Sequence, residues 1–261
     1  MDNPVNTVDK HPPGAVSVDK PPVPRASIAD VWRVPLAVWR ARKALDRGDL
    51  VVARTIVAPL LDRFGTVTLV RKIAAEILYA SGDPLSAASL FEQVAKKLTG
   101  DRVVAVGLVA SYAALNRAGD ARRCAALLPD NIDVRLALAW SELAALGGDP
   151  NRGSALVAEI ANDRELARSP ERAAMHQALD AIVSGRARDR DAVRTKLRVA
   201  ETSAPHLRAG DRAFLGYLGG VALREAGLTD DARATFTLAT DASPDSIGAA
   251  LAQRERANLS L

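Results

Sequence analysis

The residues of this chain with most chemistry to offer are three histidines, one cysteine and a pair of adjacent aspartates. His11, His176 and His206 lie far apart in the sequence. None stands at metal-ligand spacing from Cys124 or from paired carboxylates, so no zinc site is expected. Cys124 falls in a helical run at a place that takes small residues, where a packed, inert thiol is expected. A nucleophilic cysteine needs exposure and a cationic setting. Asp230 and Asp231 follow directly on Gly227-Leu228-Thr229 and read as a cap for the next helix rather than as paired acid and base. The chain has no G-x-x-x-x-G-K-S/T phosphate loop, no G-x-G-x-x-G turn after a strand and no G-x-S-x-G elbow. No catalytic constellation emerges, and neither enzymatic activity nor a cofactor is expected.

Two basic clusters offer binding chemistry instead. The stretch "GRARDRDAVRTKLR", residues 185–198, carries six basic residues against two aspartates. On one helix these would form a stripe able to contact phosphates, which makes nucleic-acid binding the alternative function. The stretch lacks interleaved aromatics for base stacking, and a solvated helix face is the simpler expectation. The second cluster, "VWRVPLAVWRARK", residues 31–43, sets Trp32 and Trp39 seven residues apart on one helical face, with Pro35 near the start. It could anchor a membrane surface or a partner helix. Packing of both tryptophans onto the adjoining helices is the expectation.

The elements that must position these residues are helices. Of the 261 residues 48% are hydrophobic but only 4% aromatic, with alanine and leucine supplying most of the apolar surface, a mix suited to close-packed helices rather than strands. A single cysteine permits no internal disulfide, which excludes a disulfide-stapled exported fold. The first 30 residues hold no apolar signal region and no window approaches 18 consecutive apolar residues, so no membrane span is read and the cytoplasm is the expected compartment. The net charge of +4 is modest, and the strong preference for arginine over lysine reads as the mark of a GC-rich bacterial genome rather than of a polyanionic ligand.

Residues 1–27 stand apart. Six of the chain's 14 prolines lie there with no helical period, so this segment is expected to be a disordered tail, and residues 28–261 a single helical domain. From Ser27 apolar residues recur at three- and four-residue intervals between turns marked by Gly48, Gly82, Gly119, Gly148, Gly185 and Gly227. Each glycine is expected to close one helix, and a nearby Asp or Asn to cap the next. The chain then reads as six helix-turn-helix units, with residues 245–258 as one further helix covering the last unit.

In the last unit Gly220 is followed by Ala232-x3-Phe236 and Pro244, and in the Gly82 unit Ala75 by Ala87-x3-Phe91; the Gly48 unit keeps Ala41 and Ala53. This pattern resembles the tetratricopeptide (TPR) repeat, a helix pair of about 34 residues with small residues in the first helix and A-x3-F…P in the second. The resemblance covers roughly residues 30–243. It departs from the family in the middle units, where Cys124 takes an alanine place and Pro129 ends a helix early. It also departs in lacking the repeat's tryptophan, for which Gly216, Arg71 and Ala37 stand.

The resemblance implies an all-α fold, an α-solenoid of about six repeats with a C-terminal capping helix. In it the small residues Gly219, Gly220 and Ala232 face the partner helix of their own pair. It further implies a non-enzymatic scaffold or adaptor that grips a protein or peptide partner on a concave face, as a component of a larger bacterial assembly. Carried onto the family's groove positions, the binding residues would be Arg42, Leu45 and Asp46; Leu69, Lys72, Glu76, Tyr79 and Ala80; and Phe214, Tyr217, Val221, Arg224 and Glu225.

Overall fold

The computed structural model describes residues 28–127 and 131–259, with side chains from residue 33 onward apart from residue 204. The expected tail, Trp32's packing and the stop at Pro129 fall outside that description. Among the described residues the fold is all-helical. Its helices are α1 (Ile28–Arg47), α2 (Leu50–Phe64), α3 (Thr68–Ala80), α4 (Pro84–Ala95), α5 (Arg102–Ala114), α6 (Ala118–Ala126) and α7 (Ile132–Ala144). There follow α8 (Pro150–Ile160), α9 (Pro170–Arg186), α10 (Arg190–Glu201), α11 (Ala209–Glu225), α12 (Thr229–Ala242) and α13 (Ile247–Asn258), with short 3-10 turns at Leu166–Arg168 and Ala204–His206.

Local chemistry sets most of these boundaries. Asp83 accepts from the Ser86 N–H (3.0 Å) with Pro84 in the first turn of α4, and Asp101, Asn131, Asp149, Ser169, Asp189 and Ser246 cap α5, α7, α8, α9, α10 and α13 in the same way. Gly48, Gly82 and Gly227 do end their helices in the left-handed conformation. The other three expected helix-closing glycines do not. Asn116 (φ 58°) turns the chain before α6, leaving Gly119 inside that helix; Gly147 does so in place of Gly148; and Arg188 (φ 59°) turns the chain after α9. Gly185 lies within α9, where a side chain would collide with the Ala222 carbonyl of α11. Asp230 and Asp231 also differ from expectation. They occupy the first turn of α12 without making a side-chain cap bond, and contribute charge there instead.

Consecutive helices pair as α1/α2, α3/α4, α5/α6, α7/α8, α9/α10 and α11/α12, and the odd-numbered helices also touch one another in sequence from α1 to α13. The interior follows from that arrangement. The odd helices α5 and α7 bury ten of their thirteen residues each and α9 and α11 eight of seventeen, whereas α8, α10 and α12 bury a narrow stripe of two or three. Small residues set the spacing: Ala41, Ala53, Ala75, Ala87 and Ala232 are fully buried, and a methyl on Gly220 would overlap the Phe236 ring of the same helix pair. Gly219 behaves otherwise than expected. Its missing side chain faces both Leu197 of α10 (3.5 Å) and Thr235 of α12 in its own pair (3.7 Å), at ordinary contact distances, so it looks toward both pairs and no close approach depends on it.

Trp140 of α7 lies at the centre, edge-on to Phe214 (4.9 Å between ring centroids) and Tyr217 (6.4 Å) of α11, and Tyr217 in turn adjoins Phe236 (6.5 Å). The row of odd helices also curls back on itself. Arg254 of α13 donates to the Ala114 carbonyl ending α5 (2.9 Å), a methyl placed on Gly82 would stand 3.3 Å from the Ala250 Cβ, and Arg208 approaches Asp46 of α1 (3.8 Å).

Candidate binding cleft

The meeting of the first helices with the last leaves a cavity of about 300 Å³. Leu45 and Leu50 wall it from the α1–α2 corner, Tyr79 and Ala80 from the end of α3, Ala174 and Met175 from α9, Leu207, Phe214, Leu215 and Leu218 from α11 and its approach, and Ile247 from α13. Its walls are mostly apolar. Charge collects at the mouth, where Glu171, Arg208 and Asp211 lie. The Ser169 hydroxyl donates to Glu171 (2.6 Å), and that bond leads the influences holding the Glu171 carboxyl below the usual carboxylate range. Asp211 reaches solvent, yet the apolar wall beside it raises its carboxyl, with Arg208 opposing and Glu171 reinforcing. Burial likewise raises the Tyr79 phenol, which therefore stays protonated and presents a hydrogen-bond donor.

The residues expected to bind divide into two sets. Leu45, Tyr79, Ala80 and Phe214 converge on the cleft. The charged ones are instead engaged in ion pairs: Arg42 with Glu76 (2.5 Å) and Lys72 with Asp101 (2.6 Å) between neighbouring elements, and Arg224 with Glu225 of its own helix (2.8 Å) and with Glu255 of α13. Tyr217 and Val221, each 1% exposed, belong to the core rather than to an open face, because α7 fills the space in front of α11 with Trp140. Glu171, Met175, Leu207, Asp211 and Ile247 escaped the sequence reading. No local pattern links positions 45–80 to positions 171–247; only the curl of the row unites them.

The chemistry-bearing residues of the sequence are mostly consumed by structure. His176 is buried and its Nε2 lies 3.0 Å from the Val157 carbonyl. Cys124 is half-buried rather than packed away, since Ala121 takes the fully buried place. Burial, with Glu92 nearby, pushes its thiol up to about 11, which keeps it protonated at neutral pH. Among the described residues no cluster of His, Cys, Asp and Glu could hold a metal, and no helix is long and apolar enough to cross a membrane.

Among the described residues the most deeply buried carboxylate is Glu142, whose side chain is fully enclosed. Arg122 grips it with two bonds (2.8 and 2.6 Å) and the Asp149 N–H donates to it (2.8 Å). Burial pushes this carboxyl up, but those bonds outweigh it and the net shift is downward. It ties α6, α7 and the start of α8 together.

The basic stretch 185–198 is also largely engaged. Arg186 donates to the Leu143 carbonyl (2.7 Å), Arg190 to the Ala226 carbonyl (3.3 Å) and Lys196 to Ser184 (2.8 Å), while Arg194 pairs with Asp231 (3.4 Å). The tryptophan cluster departs from expectation in the opposite direction. Trp39 does not pack onto the neighbouring helices; it is 54% exposed, with the Lys43 ammonium over its ring at 4.9 Å.

No protein-family model, curated protein or solved structure matches this chain.

Proposed function

We propose that the protein is a non-enzymatic binding scaffold, a TPR-like α-solenoid of about six helix pairs with a capping thirteenth helix. It would serve as a component of a larger bacterial assembly in the cytoplasm. The observation that carries the reading is the cleft between the first and last helices, an apolar cavity with charged residues confined to its mouth. Its 300 Å³ is at the lower end for small-molecule sites and suits one or two large apolar side chains of a protein segment. Tyr79 and Phe214 supply aromatic walls for such an anchor, and Glu171, Asp211 and Arg208 meet the polar backbone and flanking groups outside it. The closed row of odd helices explains why the cleft, and not a long concave groove, is the place of binding: elsewhere the inner faces meet one another.

The test is to fill the cleft. Ala80→Phe places a ring at its wall without touching the central core. Helicity and melting temperature should stay near wild type, while the partner that wild type captures from host extract should be lost. Capture of that same partner by the filled variant would remove the cleft from the binding surface.

A further inference from the structure

The outer face of α1 carries a second surface that the cleft does not use. At helical spacing, Arg33, Leu36, Trp39, Arg40, Lys43 and Arg47 occupy one arc of about 120°. All six are exposed, with Leu36 at 49% and Trp39 at 54%. Val34, Val38, Ala41 and Leu45, on the opposite side, are buried against α2 and α3. None of the four cations on this arc has a carboxylate or carbonyl partner among the described residues. Many arginines elsewhere are committed to carboxylates or helix-end carbonyls, as Arg122, Arg172, Arg186 and Arg224 are, although Arg54 and Arg198 are exposed without such a partner among the described residues. Here cations surround two large exposed apolar side chains and are left unmatched.

We propose that this face is a docking surface for the headgroup region of an anionic lipid bilayer. The chemistry fits on three counts. Leu36 and Trp39 supply the shallow apolar insertion and the amphipathic ring suited to the headgroup level, while Arg33, Arg40, Lys43 and Arg47 surround them with long side chains that keep their charges at the interface. Position in the fold also fits. Among the described residues α1 is the first of the row and packs chiefly on α2 and α3, which leaves its outer side exposed. Charge disposes of the nearer alternatives. A second copy meeting the same face would bring like charges together. The chain's own first 27 residues balance Asp2, Asp9 and Asp19 against Lys10, Lys20 and Arg25, and so offer no net attraction. The surface lies apart from the cleft, and the proposal stands without it.

The test is flotation of the full chain with vesicles of phosphatidylcholine alone and of phosphatidylcholine with phosphatidylglycerol, at low and at physiological salt. Binding is expected only with the anionic lipid and should weaken as salt rises. Brominated acyl chains should quench tryptophan emission, and quench it less in Trp39→Phe, where Trp32 and the core residue Trp140 remain. Replacing Arg40, Lys43 and Arg47 by Gln should lower partitioning at least tenfold, given about fivefold per cation near an anionic surface. Leu36→Ser with Trp39→Ser should lower it comparably while leaving the far-UV spectrum unchanged. Absence of binding at low salt, or binding that these α1 variants leave intact, would overturn the proposal. Binding to polyglutamate as tight as to vesicles, with no quenching by brominated chains, would overturn it in favour of an acidic protein partner.

Discussion

Two stretches of this chain look alike in sequence and end in opposite conditions. Both 33–47 and 186–198 are arginine-rich helical segments with few acidic residues. In the second, Arg186 reaches the end of α7, Arg190 the end of α11, and Lys196 the Ser184 hydroxyl and Asp180 of α9. In the first, Arg42 pairs with Glu76, but Arg33, Arg40, Lys43 and Arg47 have no carboxylate or carbonyl partner among the described residues, Lys43 lying instead over the Trp39 ring. The difference is one of address. An interior helix pair has helix C-termini on both sides, whose unpaired carbonyls carry partial negative charge and attract guanidinium groups. Among the described residues α1 has helical neighbours on one side only. A count of basic residues is therefore a poor measure of available charge, and position in the row decides how much remains for a partner.

The comparison breaks first, and with the largest effect, at Arg122. This interior arginine holds the enclosed Glu142, and Arg122→Ala would leave that carboxylate buried with Arg152 at 3.5 Å as its remaining cation. A loss of about 3–5 kcal/mol is expected in denaturant unfolding at neutral pH. The pH dependence carries a second check. The Glu142 carboxyl is depressed in the folded wild type, so its contribution is complete above the ordinary glutamate value and is lost as pH falls through the folded one. In the variant the same carboxyl is raised by burial and takes up a proton sooner. The stability gap between the two proteins should therefore narrow on acidification; a gap that stays constant would mean that Arg122 acts through packing alone.

Arg186 should give the next largest effect. Its bond to the Leu143 carbonyl joins α9 to α7, and Glu225 stands 3.7 Å away on α11. Arg186→Ala should cost about 1.5–3 kcal/mol, the range for a hydrogen bond to a charged group. Part of the cost would come from stripping a helix-end carbonyl of its donor. An unchanged unfolding midpoint would place Arg186 with the solvated cations of α1 and dissolve the distinction between the two stretches.

What the sequence made legible was whatever lies close along the chain. Gly220 and Phe236 are sixteen residues apart across one turn, and the A-x3-F spacing is enough to foresee that a ring needs room there. The same holds for Ala41 with Ala53 and for α13, which is marked by Ser246 at its start and by its apolar period. Glycine was ambiguous because it serves two ends. Gly48 turns a chain, whereas Gly185 admits the Ala222 carbonyl of a neighbouring helix, and nothing local tells them apart. The cleft was half legible: Leu45, Tyr79 and Phe214 stood at candidate positions, but their meeting depends on the curl summed over six helix pairs. Trp39 was misjudged for a related reason. Amphipathic spacing says that a helix has two faces, but not that the far side of the first helix lacks a neighbour.

The smallest effect is the most discriminating for the terminal face. Arg40 sits three residues before Lys43 on the same arc, and like charges at that spacing destabilise a helix by about 0.2–0.5 kcal/mol. If Arg40 has no partner in the folded protein, Arg40→Gln removes a repulsion and nothing else. The variant should then be as stable as wild type, or more stable by a few tenths of a kcal/mol at low ionic strength. The gain should fade as added salt screens the pair. Arg47 is a poorer probe, since a cation in the last turn of α1 is favoured by the helix dipole, and Lys43 is complicated by its contact with Trp39. Should Arg40→Gln instead cost more than about 1 kcal/mol, beyond what surface substitutions ordinarily do, Arg40 would have an intramolecular partner. The outer face of α1 would then be committed in the same manner as the 186–198 stretch. A null or slightly stabilising result would show a cation retained at no benefit to the fold, as a surface set aside for binding requires.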